Sequence, residues 1–131
     1  MRILLLEDDY NRVEQFRKRV DELNERNTHL PKTELVHVET AEHCILTLQG
    51  TGEFHLILLD HDLGGEVYVD INRPDTGSEV ARWLNKNKKN ANVITHTLNK
   101  EGSENILSLV PNSIYVPGLW QKELFHKTIT I

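Results

Sequence analysis

An α/β fold, an open five-stranded parallel sheet with helices on both faces, is predicted by three observations. Ile3-Leu4-Leu5-Leu6 and Leu56-Ile57-Leu58-Leu59 are short continuous apolar runs, as expected of strands covered on both sides. Between such runs the apolar spacing changes to three and four residues, as in Val13, Phe16, Val20 and Leu23. The alternation recurs every ~20–30 residues, which implies parallel strands joined by right-handed helical crossovers. The 131 residues suit one domain, residues 1–131. They are too few for a barrel, which needs ~200 or more. The doubly wound, flavodoxin-like order 2-1-3-4-5 is the expected arrangement.

Each element follows in turn. Residues 2–6 form the first strand. From Asp9 an amphipathic helix runs to a point before Asn27, and Pro31 closes the loop after it. Residues 34–38 are the second strand. Thr40 caps a helix through Cys44, Ile45 and Leu48, ended by Gly50-Thr51-Gly52. Residues 56–59 are the third strand, and it delivers Asp60-His61-Asp62-Leu63-Gly64-Gly65. In the stretch before Pro74, Val67-Tyr68-Val69 reads as a small hairpin or flap. Asp75-Thr76-Gly77-Ser78 opens a helix through Val80, Trp83 and Leu84, with a polar, basic end from Asn85 to Asn90. Residues 91–95 are the fourth strand, residues 102–110 a short helix stopped by Pro111, and residues 113–116 the fifth strand. One or two helical turns follow from Leu119 to Phe125, so the final helix is short or missing. The tail 128–131 is β-prone by composition and has no assigned place.

Composition narrows the function. The formal charge is −5, with 15 Lys and Arg against 20 Asp and Glu. An acidic chain argues against an extended duplex DNA footprint, but a single nucleotide or an RNA end needs only a few local cations. The apolar runs fall far short of the ~20 residues of a membrane helix. No basic and apolar leader opens the chain, and the single Cys44 excludes a disulfide scaffold. The expected setting is cytoplasmic, without a membrane partner.

In the 2-1-3-4-5 order, strands 1, 3 and 4 are neighbours, and their carboxyl ends share the edge where open α/β sheets place their sites. Strand 1 brings Glu7-Asp8-Asp9 there, strand 3 brings Asp60-His61-Asp62, and strand 4 brings Thr95-His96 with Thr97 and Asn99. Asp8, Asp9 and Asp60 around one point make a hard oxygen site suited to Mg²⁺ or Mn²⁺. Alternatively, Asp8 or Asp9 caps the first helix, and Glu7 is solvated or paired with Arg12. His61 and His96 suit a general base and acid across a phosphodiester, with Asp62 orienting one imidazole; metal ligation is the other use of the same pair. Thr95, Thr97 and Asn99 can position phosphoryl oxygens. Gly64 permits close approach of a ligand, and Thr76 lies at a helix start that either holds a phosphate or is merely capped. Arg73 pairs with a phosphate or is solvated. Tyr68 is the better aromatic candidate for contacting a base, since Trp83 and Trp120 are expected in the core.

The acidic cluster after strand 1, Asp60 ending strand 3, Gly64 four residues later and Thr95 ending strand 4 resemble the receiver domains of two-component signalling. Receivers carry a lysine at the end of strand 5, where this chain has Ser113-Ile114-Tyr115-Val116-Pro117. The blocks D-H-D-L-G-G, D-T-G-S-E-V-A-R-W-L and V-I-T-H-T-L-N-K-E-G-S-E-N resemble the cyclic-phosphate-processing receiver-like family more closely. That resemblance implies a site lined by Asp8, Asp9, Asp60, His61, Asp62 and His96. It also implies hydrolytic opening of a cyclic phosphate on a small nucleotide or an RNA terminus. Two other readings remain open: a receiver phosphorylated on Asp60, and a non-catalytic module that binds a nucleotide or a protein.

Overall fold

This computed structural model describes residues 1–50, 52–87, 89 and 91–130. Five parallel strands alternate with five helices: β1 (Arg2–Leu6), α1 (Tyr10–Arg26), β2 (Glu34–Val38), α2 (Ala41–Gln49), β3 (Leu56–Leu59), α3 (Gly77–Asn87), β4 (Asn92–Thr95), α4 (Lys100–Leu109), β5 (Ile114–Tyr115) and α5 (Lys122–Thr128). The sheet order is β2-β1-β3-β4-β5. This is the predicted doubly wound architecture, with a final helix of seven residues.

Strand alternation divides the core in two. Leu4, Leu6, Ile57, Leu59 and Val93 face α2, α3 and α4, meeting Cys44, Leu48, Val80, Leu84 and Ile106. Ile3, Leu5, Leu58 and Ile94 face the other way, toward Val13, Phe16 and Val20 of α1 and Phe125 of α5. Cys44 is fully buried, and burial pushes its thiol up to about 12.

Three local expectations change. Residues 67–69 form no hairpin: the Asp62 carboxylate accepts from the Tyr68 N–H at 2.7 Å and the Val69 N–H at 3.0 Å. Those amides are therefore unavailable to a strand ladder. The tail is not a strand over the described residues: Thr128 ends α5, and Ile129 is buried among Phe16, Leu119 and Phe125. The fourth helix starts at Lys100, two residues early, because Asn99 caps it. Thr51, Lys88, Asn90 and Ile131, which fell within expected element ends, lie outside the described residues.

Candidate functional site

Strand register explains how the site assembles. Leu6 pairs with Leu59, and Leu59 with Thr95, across three adjacent strands. The next residue on each strand is Glu7, Asp60 and His96. Ladder bonds continue one step past the strand ends: Glu7 N–H donates to Val38 O, Asp60 N–H to Leu6 O and His96 N–H to Leu59 O, each at 3.1 Å. The three residues thus stand in one rank and, by alternation, share the face of Leu5, Leu58 and Ile94. Each offers one ligand atom, all within 4.8 Å of one another, and all three are buried.

All three ionisable groups of this rank are strongly perturbed. Burial pushes the Glu7 carboxyl up to about 7, although the Asp9 amide and the Arg12 charge oppose the shift. Burial also pushes Asp60 up to about 7, against the pull of His96 and helped by the Glu7 charge. Full burial lowers His96 to about 4 and keeps the imidazole neutral. His96 Nε2 lies 3.1 Å from Glu7 Oε1, and its ring packs edge-on against Phe16 and Trp120. Glu7 Oε2 accepts from the Asp8 and Asp9 amides. Glu7 is therefore no solvated acid.

A second network lies on the opposite face of β3. His61 Nδ1 donates to Asp62 Oδ1 at 2.9 Å, and Asn99 Nδ2 donates to the same oxygen at 3.0 Å. Asn99 Oδ1 also accepts from the Gly102 N–H, which caps α4. Burial works against the Asp62 charge, but the bonds from Asn99, His61, Tyr68 and Val69 prevail and hold its carboxyl below the usual range. The His61 ring lies so close to Gly102 that a methyl group there would overlap Cγ and stand 2.8 Å from Cδ2. A methyl group at Gly77 would likewise collide with the Asp60 carbonyl oxygen.

Above both networks opens a cavity of about 340 Å³. Asp8, Asp9, Asp60 and Asp62 line it on one side, with Thr97 and Asn99 beside them. Val67, Tyr68 and Leu98 form an apolar rim, and each of the three is well exposed. Several expected site residues stand elsewhere. His61 and His96 are both fully buried and set back from the wall, so neither imidazole faces the cavity directly. Asp9 Oδ1 is committed to capping α1, accepting from the Asn11 and Arg12 amides. Asp8 accepts from the Gly65 N–H at 2.8 Å. Among the described residues the compact ligand trio is Glu7, Asp60 and His96, while Asp8, Asp9 and Asp60 line the cavity together. Thr95 is fully buried and not in the wall, while Thr76 Oγ1 donates to Arg73 O. Gly64, with φ of +74°, borders a separate smaller cavity beside Asp75. Arg73 is clasped by Glu66 and Asp75.

Sequence reasoning missed two residues. Glu7 follows the apolar strand directly, and its rank with Asp60 and His96 was available from the strand ends. Arg12 also lines the cavity; its signal was a cation in the first turn of a helix, where the dipole disfavours positive charge.

Five parallel strands in this order, with acids at their carboxyl edge, define a receiver-type domain. Solved structures agree on the fold. A phosphorylated cyanobacterial phytochrome response regulator, RcpA, superposes with a TM-score of 0.65 at 19% identity, covering 96% of this chain and 86% of that one. The Mn²⁺-bound response regulator Rcp1 gives 0.63 at 21%, covering 96% and 87%. The response regulator TrrA of Thermotoga maritima, in complex with Mg²⁺-BeF, gives 0.60 at 24%, covering 97% and 95%. Among curated proteins none matches the chain. Residues 3–112 match the cyclic-phosphate processing receiver domain, and the chain belongs to that family.

Proposed function

We propose that this domain hydrolyses a cyclic phosphate on a nucleotide or an RNA end. The supporting observation is the pair of buried acids, Glu7 and Asp60, each poised near pH 7, with Asp60 in the wall of a cavity of substrate size. In ring opening, water adds to phosphorus and one P–O bond to the ribose breaks. The water proton passes to Asp60, and a proton from the Asp60–Glu7 pair protonates the departing oxygen. Asp62 stays ionised and acts structurally, holding the Tyr68 amide in the wall and the Val69 amide beside it. His61 orients Asp62, and His96 orients Glu7. Thr97 Oγ1 accepts from the Asn99 N–H, which leaves its hydroxyl proton free for a phosphoryl oxygen.

A divalent cation fits this site. The ligand atoms of Glu7, Asp60 and His96 have the spacing expected around an ion with bonds of ~2.0–2.6 Å. One nitrogen among the donors favours Mn²⁺ over Mg²⁺. When bound, such an ion withdraws charge from a phosphoryl oxygen.

The test is a panel of 2′,3′-cyclic nucleotides, 3′,5′-cyclic nucleotides and a cyclic dinucleotide, followed by chromatography with Mn²⁺ or with EDTA. Turnover of any member is the expected result, with loss of activity in both His61→Ala and His96→Ala. A folded, Mn²⁺-supplied protein that turns over no member overturns the reading. In that case a +80 Da adduct after acetyl phosphate would identify a phosphoacceptor at Asp60. Ligand-induced thermal stabilisation without turnover would identify a binding module.

A further inference from the structure

We propose that Arg12 is the phosphate-gripping cation of the cavity, held ready on the face of Trp120. The inference rests on the reading of the cavity as a phosphate-ester site. Arg12 lies three residues past the Asp9 N-cap, in the first turn of α1. A guanidinium there opposes the helix dipole, so helix stability does not explain it. Its acidic neighbours, Glu7 and Asp9, pair with it only at ion-pair distance, the Glu7–Arg12 pairing that the sequence offered as one alternative. Arg12 Nη1 is 3.8 Å from Glu7 Oε1, and Nε is 3.9 Å from Asp9 Oδ2. Both distances exceed hydrogen-bond range. Among the described residues, no side-chain nitrogen of Arg12 makes a hydrogen bond.

Trp120 also holds the group, by stacking. The guanidinium carbon lies 4.4 Å from the indole centroid. The indole is itself braced edge-on by Phe16 and His96. The planar fork is therefore pre-oriented with its donors in loose ion pairs but in no hydrogen bond, an arrangement that can turn to grip two non-bridging oxygens of a phosphate. Among the described residues, Arg12 is the one Lys or Arg lining the cavity, against five carboxylates, Asp8, Asp9, Asp60, Asp62 and Glu66. Arg73 cannot replace it, because Glu66 and Asp75 already occupy that guanidinium.

The charge balance also selects among anions. A cyclic phosphodiester carries one negative charge, and the monoester left by ring opening carries up to two. A wall with one guanidinium and several carboxylates tolerates the first better than the second, so the product leaves readily.

Calorimetric binding of 2′,3′-cyclic AMP and 3′,5′-cyclic AMP tests the assignment. The wild type is expected to bind at least one. Arg12→Ala is expected to weaken that binding about tenfold or more, and Arg12→Lys to recover only part of the loss. Arg12→Gln serves if the alanine variant does not fold. In a Trp83→Phe background, ligand is expected to shift the Trp120 emission, and Arg12→Ala to abolish the shift. Undiminished binding by a folded Arg12 variant overturns the proposal and leaves the phosphoesterase reading intact. Binding that depends on Arg12, without turnover, defeats only the phosphoesterase reading. A wild type that binds neither diester overturns the proposal, and the phosphoesterase reading then stands or falls with the turnover panel.

Discussion

Asp60 trades stability for a proton-exchanging carboxyl. Its pKa rises from 3.8 to about 7 on folding, and that of Glu7 from 4.5 to about 7. Between those limits the native state binds more protons than the unfolded chain, so stability falls as pH rises from about 4 to about 7. His96 has the opposite effect: lowered from 6.5 to about 4, it weakens the fold as pH falls through that window. Two acids outweigh one imidazole. Asp60→Asn, which still accepts the His61 N–H, is therefore expected to melt roughly 3–8 °C above the wild type at pH 8 and close to it at pH 4. Thermal unfolding across pH measures the difference. Tyr68 presents a similar trade. It is the one non-glycine residue with positive φ, at 53°, among those described, and the residue is 77% exposed. Its backbone is held there by the Asp62 carboxylate. Tyr68→Gly is expected to stabilise the fold by roughly 0.5–1 kcal/mol. The same variant should raise KM for a nucleotide substrate, because the rim loses the aromatic face that a base would cover. A melting curve and a Michaelis curve together separate the two effects.

The helices reach the site through glycines. Gly77 opens α3 against the Asp60 backbone, donating its N–H to His61 O at 3.1 Å. Gly102, in the first turns of α4, makes room for the His61 ring. Gly102→Ala is expected to cost roughly 2–3 kcal/mol by overpacking. It should also disturb the His61–Asp62 bond, seen as a shifted His61 imidazole resonance in NMR. An unchanged resonance would mean that α4 yields and not the ring. Neither contact was legible in the sequence, where these glycines resemble ordinary helix starts. The strands were legible, because Ile3–Leu6 and Leu56–Leu59 are apolar at every position and admit only burial on two faces. The segment around Tyr68 was not, since its course depends on a carboxylate six residues upstream that outbids strand pairing. Burial of Glu7 was hidden for the same kind of reason: its partner His96 is 89 positions away.

The sheet order turns residues scattered over the chain into one constellation, and that constellation responds as a unit. Ligation of a divalent ion requires ionised carboxylates, so ion binding competes with the protons on Glu7 and Asp60. Adding Mn²⁺ is expected to raise the melting temperature more at pH 8 than at pH 5, by about 2.7 kcal/mol of stability at a hundredfold excess over Kd. EDTA should reverse the rise, and a Glu7→Gln variant should show much less of it. No helix among the described residues is long and apolar enough to cross a membrane. The outer reaches of the architecture are spare: β5 has two residues and α5 seven. Cys44 stands on the other side of the sheet, sealed under α2 with its thiol held protonated. An alkylating reagent can reach that sulfur only when α2 lifts away. Its rate of capture is thus a built-in stopwatch for the breathing of the molecule, one that a substrate gripped at the carboxyl edge would slow.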